Sequence, residues 1–248
     1  MTVLLPQPTE EQIGMAGAAP AGDPPVLYLL HGLSDDDTIW LRRTSIERYV
    51  APRGLAVVMP QVHRSIYLDG VHTGDYWTFI SDELPDIVHR FFRVSDRRED
   101  TFVAGLSMGG YGAIRLALHQ PERFAAAASL SGGLDVAELQ RSGEREQLMR
   151  AVFADRDAAG SDDDLLAVLD GADPAALPDL YVCCGTEDPL VASSREFVEI
   201  AERRGVAVTS SFGAGEHEWG YWDTAIQDVL AWLPLSTGVA QPTPSEPG

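Results

Sequence analysis

The segment Gly105-Leu106-Ser107-Met108-Gly109-Gly110 confines this chain to few architectures, because it sets a serine between glycines where the hydrophobic period changes. Thr101-Phe102-Val103-Ala104 before it is a β-prone apolar run, and Tyr111 to Leu118 after it carries apolar residues at helical spacing. A chain that passes from strand to helix in so short a bend has no room for flanking Cβ atoms, and glycine removes them. The bend lifts the serine hydroxyl above the sheet edge and aims the partly positive N-terminus of the helix at the same point. G-x-S-x-G in this setting reads as a nucleophile elbow. The competing reading is a glycine-rich turn that merely contains a serine.

An elbow serine needs a base and a carboxylate that orients the base. Leu180-Tyr181-Val182-Cys183-Cys184 reads as a buried strand that runs into the turn Gly185-Thr186-Glu187-Asp188-Pro189. Asp188 therefore falls just past a strand's C-terminal end, where open α/β sheets place their sites. Val206 to Phe212 reads as another strand, followed by the loop Gly213 to Trp219, which carries His217. Ser107, Asp188 and His217 thus follow a chain order known for acyl-transfer triads, each at a strand exit. His63 and His72, flanking one loop, are the reserve bases, and Glu187 is the reserve acid. His89 and His119 lie in helical patterns and read as ordinary residues, while His31, at an earlier strand exit, has a separate role. Glu216 and Glu218 flank the base, where they either raise its pKa or simply face solvent; the solvent reading is favoured.

Pro25 to Leu30 is an apolar strand leading into His31-Gly32-Leu33-Ser34. In a site of this kind one oxyanion donor is the backbone N–H after the nucleophile, Met108, and the other comes from the early strand-to-helix loop, Leu33. Tyr76, Trp77 and Trp219 are candidate substrate-pocket walls, with core packing as the competing role for each.

The segments Leu30 to Asp35, Thr38 to Tyr49, Asp75 to Phe79, the elbow, Cys184 to Asp188 and Glu216 to Trp219 together resemble the tributyrin-esterase branch of the esterase D/acetyl-xylan-esterase-like α/β-hydrolases. The resemblance spans about residues 24 to 233. It implies hydrolysis of short-chain acyl esters by a serine triad without a metal or other cofactor, with Ser107 as nucleophile, Asp188 as acid and His217 as base. It also implies an N-terminal strand pair ahead of the first buried strand. Only Thr2-Val3-Leu4-Leu5-Pro6 stands there, so the sheet is expected to lack an edge strand or the chain to be shortened.

Alternating strand-like and helix-like runs give an α/β class, the α/β-hydrolase fold, with a mostly parallel sheet and helices on both faces. Leu55 to Met59 and Ala125 to Leu130 are further strands. A helical pattern from Tyr76 to Phe92 contains Pro85, which should kink or break it. A small helical insertion at about 134–176 is the expected source of a lid, with one amphipathic helix from Ala137 to Phe153 and another after Asp162-Asp163-Asp164. Each of the acidic runs 35–37 and 162–164 reads as a helix start or solvated loop rather than a metal site, since the spaced ligands and loop glycine of a calcium hand are missing. Residues 1–236 read as a single domain and 237–248, rich in proline, as a disordered tail.

The net charge of −20 makes nucleic acid and anionic membranes poor partners. The absence of lysine rules out Schiff-base chemistry and a lysine-bearing phosphate loop, and the absence of asparagine rules out N-glycosylation. No leader-like or membrane-spanning run is visible, so a cytoplasmic location is expected. Cys183 and Cys184 are adjacent on a strand whose side chains alternate faces, so they read as small buried residues rather than a disulfide. The expected partner is a small-molecule ester, and homo-oligomerisation is left open. The expected reaction is ester hydrolysis through an acyl-enzyme. Its rivals are thioester hydrolysis, as in the related S-formylglutathione hydrolases, acyl transfer to sugar, as in mycolyltransferase relatives, and a non-catalytic binding protein on the same fold, against which the intact residue set argues.

Overall fold

The computed structural model describes residues 1–9 and 16–235; the tail expected at 237–248 lies outside them. The first half of the chain holds β1 (Thr2–Leu4), β2 (Val26–Leu30), α1 (Ile39–Arg43), α2 (Ile46–Val50), β3 (Ala56–Met59), β4 (Asp69–Gly70), β5 (Gly74–Asp75), α3 (Tyr76–Thr78) and α4 (Leu84–Phe91). Next come β6 (Thr101–Leu106), α5 (Met108–His119), β7 (Ala126–Leu130), α6 (Val136–Ser142), α7 (Glu146–Phe153) and α8 (Leu165–Gly171). The last elements are β8 (Asp179–Gly185), α9 (Val191–Arg204), β9 (Val208–Gly213) and α10 (Trp219–Trp232).

Seven strands form one sheet in the order β1-β3-β2-β6-β7-β8-β9. All neighbours are parallel except β1, which pairs antiparallel with β3, Val3 opposite Val58. Thr2–Leu4, all that the sequence offered of the N-terminal pair, forms the edge of the sheet. Three residues suffice because each finds a partner on β3 and Val3 and Leu4 pack against opposite cores.

The period of two along each strand divides the core. Val26, Tyr28 and Leu30 face one layer, with Ile114 and Ala117 of α5 and Phe197 and Ala201 of α9. Leu27 and Leu29 face the other, with Trp40 of α1, Ile46 of α2 and Ile226 of α10. Both faces are covered, which is why these strands read as continuous apolar runs.

Two helices differ from expectation. The run containing Pro85 does not break: a π-helical turn, Phe79–Glu83, precedes α4, and the Leu84 N–H reaches back to the Phe79 carbonyl. The wider turn absorbs a residue that cannot donate. The helix expected over 137–153 is two helices, α6 and α7, because Gly143 adopts φ +72° and caps the first.

Candidate active site

Four parallel strands, β2, β6, β8 and β9, end at the same edge of the sheet, and each hands one group to a common point. Ser107 follows β6 at φ +53°, ψ −116°, backbone that a side chain seldom adopts. The elbow is held there by its surroundings. The Ser107 N–H donates to the Leu130 carbonyl at 2.9 Å, and its own carbonyl accepts from the N–H groups of Tyr111 and Gly133. A Cβ on Gly109 would stand 2.5 Å from the Leu30 carbonyl oxygen and 2.8 Å from that of His31, so α5 packs this tightly only on glycine.

His217 Nε2 lies 3.0 Å from Ser107 Oγ, and His217 Nδ1 lies 2.8 Å from Asp188 Oδ2. A carboxylate only accepts, so Nδ1 carries the proton and Nε2 is left to accept from the serine. Asp188 is buried at 2 % exposure, and Oδ1 accepts from the Leu190 N–H at 2.8 Å. Burial alone would raise its pKa, but the hydrogen bonds from His217 and Leu190 outweigh it and hold the carboxyl below its usual range. The Trp222 and His217 rings stand perpendicular, their centroids 4.8 Å apart at 88°. The three residues singled out in the sequence are thus brought together in series.

The early loop is equally constrained. His31 is buried, and burial holds its pKa below the usual value against the hydrogen bond to Gly32. The neutral ring has one donor and one acceptor: Nδ1 lies 2.7 Å from the Gly32 carbonyl, and Nε2 accepts from the Val62 N–H at 3.1 Å. Tyr67 donates to the His31 carbonyl and Trp40 to that of Leu30. The loop is pinned while the N–H groups of Leu33 and Met108 have no acceptor among the described residues. Two free N–H groups, one opening a helix and one on a clamped loop, are what an incipient oxyanion requires.

The reserve candidates have other places. Glu187 accepts from the Gly215 N–H at 2.7 Å and from the Thr186 hydroxyl at 2.8 Å, bracing the loop that carries His217. The Gly215 bond, then that of Thr186, lowers its pKa. His63 stacks edge-on to Tyr76 at 5.9 Å, and His72 uses its backbone N–H on the Ala151 carbonyl. Glu216 and Glu218 are exposed, as the solvent reading required.

A cleft of about 500 Å³ adjoins the early loop, lined by Leu33, Asp35, His63, Arg64, Thr73 and Tyr76 among others. Burial raises the pKa of Asp35 there. Of the three aromatic residues offered as pocket walls, Tyr76 lines this cleft. Trp77 instead lies under the Arg115 guanidinium at 3.7 Å and against His119, and Trp219 packs edge-on to Trp40 and Trp222 at 5.3 and 5.2 Å. Both have the packing environment that was the competing reading.

No described residue of the insertion lines the cleft. Instead α7 supports the cleft wall: the Val71 and His72 N–H groups, at the tip of the β4–β5 hairpin, donate to the Val152 and Ala151 carbonyls. The acidic runs are spent on the fold. Asp164 caps α8 through the Ala167 N–H, Asp163 pairs with Arg115, and Asp36 accepts from Thr38 and Arg42, which bring its pKa down to about 2. Cys183 and Cys184 are buried and unbonded to each other, and burial pushes their thiols up to about 12 and about 11.

Fold and site together define a serine hydrolase of the α/β class. The family described as "Putative esterase" matches residues 3–233, and the chain belongs to it. It is a carboxylic ester hydrolase. The acetyl esterase of Caldicellulosiruptor saccharolyticus is 29% identical over 218 residues, 84% of this chain and 82% of that protein. Among solved structures, FphF, the Staphylococcus aureus fluorophosphonate-binding serine hydrolase F, is 34% identical with a TM-score of 0.83, covering 93% of this chain and 90% of that one. The S-formylglutathione hydrolase FrmB of S. aureus is also 34% identical, with a TM-score of 0.80 over 93% and 91% of the two chains. Among the described residues no helix is long and apolar enough to cross a membrane.

Proposed function

We propose that this esterase hydrolyses short-chain acyl esters through a covalent acyl-serine at Ser107. The observation that carries the reading is the continuous chain Ser107 Oγ, His217, Asp188 at 3.0 and 2.8 Å. Ser107 Oγ attacks the carbonyl carbon as its proton passes to His217 Nε2, and Asp188 stabilises the resulting imidazolium. The carbonyl oxygen becomes an oxyanion held by the N–H groups of Leu33 and Met108. When the intermediate collapses, the carbon–oxygen bond to the alcohol breaks and the alcohol leaves with the proton from His217. Water then attacks the acyl-serine, gives its proton to His217, and the acid leaves as Ser107 is reprotonated.

Tyr76 serves as one wall of the substrate cleft in this reading, and one domain carries the whole site. The test uses p-nitrophenyl acetate, butyrate and octanoate with the wild type and Ser107→Ala. Activity that falls with chain length and drops by about 10⁶ in the variant supports the proposal. Full activity in the variant removes it. The likeness to FrmB favours a second reading, thioester hydrolysis by the same residues, which S-formylglutathione in place of the esters tests directly. A cytoplasmic site of action is part of the proposal, and cell fractionation checks it.

A further inference from the structure

The segment Val62 to Leu68 carries three of the six non-glycine residues with positive φ among the described residues: His63 at +52°, Ile66 at +56° and Tyr67 at +56°. For β-branched Ile66 that backbone is an outlier, of a kind that persists only where the surroundings over-determine it. They do so here. The Val62 N–H donates to His31 Nε2 at 3.1 Å, the Tyr67 hydroxyl to the His31 carbonyl at 3.0 Å, and the Tyr67 N–H to Ser65 Oγ at 3.1 Å. Val62, Ser65, Ile66, Tyr67 and Leu68 are buried. The two side chains left exposed are His63 and Arg64, and both line the cleft beside Leu33. His63 is engaged with Tyr76, whereas Arg64 has no hydrogen bond, ion pair or ring contact among the described residues.

We propose that Arg64 is the anion-recognising residue of this cleft, and that the cleft takes esters carrying a carboxylate remote from the scissile bond. The inference rests on the reading of Ser107, Asp188 and His217 given above and names the substrate class of that same site. A free guanidinium beside the loop that presents Leu33, on backbone strained to hold it there, is the juxtaposition behind the assignment. With a net charge of −20 the field of the whole chain turns anions away, so an anion enters where a local cation meets it. The planar guanidinium matches the two oxygens of a carboxylate. Asp35 gives the cleft its polarity. Its Oδ2 lies 2.7 Å from where a Cβ on Gly32 would stand, and that same point is 3.7 Å from Ser107 Cβ. A half-buried carboxylate thus marks the inner end and an exposed guanidinium the outer end. A monoanion docks with its charge outward and its ester toward the serine. A doubly charged phosphate would be left half neutralised in a cleft that already holds a carboxylate.

Two pairs of esters test this in the full chain, the members of each pair differing by one carboxylate. p-Nitrophenyl butyrate against mono-p-nitrophenyl glutarate places the charge on the acyl side. Phenyl acetate against 4-acetoxybenzoate places it on the alcohol side. In at least one pair the kcat/KM ratio of charged to neutral ester should fall by roughly 5- to 10-fold in Arg64→Ala, mostly through KM. Arg64→Lys, which keeps the charge without the fork, should recover part of the ratio, and Arg64→Glu should lower it further. The pair that responds shows which side of the ester meets Arg64. A merely structural role would slow both members of a pair alike and leave the ratio unmoved. Ratios within about twofold of wild type in both pairs, for Arg64→Ala and Arg64→Glu, would therefore overturn the assignment. Full activity of Ser107→Ala on the neutral esters would instead overturn the reading beneath it, so the two failures are distinguishable.

Discussion

Arg115 Nη2 and Asp163 Oδ1 stand 2.6 Å apart with side chains only 7 % and 11 % exposed, joining the helix that follows the nucleophile to the loop before α8. Tyr111 adds a hydrogen bond to the Asp163 carbonyl, and Trp77 covers the guanidinium. Removing one member of a buried pair strands the other without water. Asp163→Ala should therefore cost about 3–5 kcal/mol of stability, read as the shift in a urea unfolding curve. Arg156, which approaches the same carboxylate at 3.8 Å from a half-exposed position, should matter far less.

Asp188→Asn should preserve the fold and cripple the chemistry. An amide at this position no longer requires a proton on Nδ1, so the imidazole can turn its protonated nitrogen toward Ser107 and lose the ability to accept. A fall in kcat of about 10⁴ near neutral pH is expected, measured on p-nitrophenyl acetate. A loss under tenfold would detach Asp188 from the reaction.

His31 gives the fold a pH dependence of definite sign. Its folded pKa is lowered, so below about pH 6.5 the unfolded chain binds the proton more readily than the folded one. The contribution of His31 is therefore complete above that range and lost as the pH falls through it. His31→Ala leaves the Val62 N–H buried without an acceptor, at a cost of about 1–3 kcal/mol, and should flatten the slope of stability against pH between about 5 and 7. Denaturant midpoints across that range check both effects.

Gly109→Ala tests the closeness of the elbow to β2. The added methyl meets backbone oxygens of Leu30 and His31 rather than a side chain that can rotate away. A destabilisation of at least about 1–3 kcal/mol is expected from overpacking, together with a loss of activity, because the same oxygens lie where β2 passes into the loop that carries Leu33. Thermal melting and turnover on one preparation measure the two together.

The parts of the site that stand at strand exits were legible, since a buried apolar strand, a turn and a polar residue mark such a position in one dimension. Ser107, Asp188 and His217 were found this way, as was the strand-to-loop passage carrying Leu33. What escaped depends on contacts between distant segments. Trp77 carries no mark that says it will lie beneath Arg115, and nothing near Glu187 says that its carboxylate will brace Gly215. Ser131 lay one residue beyond a recognised strand, before two glycines, which was a signal of an unusual turn but not of the Trp222 indole from which its hydroxyl oxygen accepts. The helix over 137–153 was overextended because the apolar period continues across Gly143, whereas a residue with φ +72° ends a helix whatever the pattern does.

The hairpin bordering the cleft ties its tip, through Val71 and His72, to the final turn of α7. One wall of the proposed substrate cleft therefore takes its position from a helix far away in the chain whose residues do not line it. Sequence changes in that distant helix can retune which esters are accepted while the reacting groups stay the same, which gives such a scaffold a way to diversify its diet without rebuilding its chemistry.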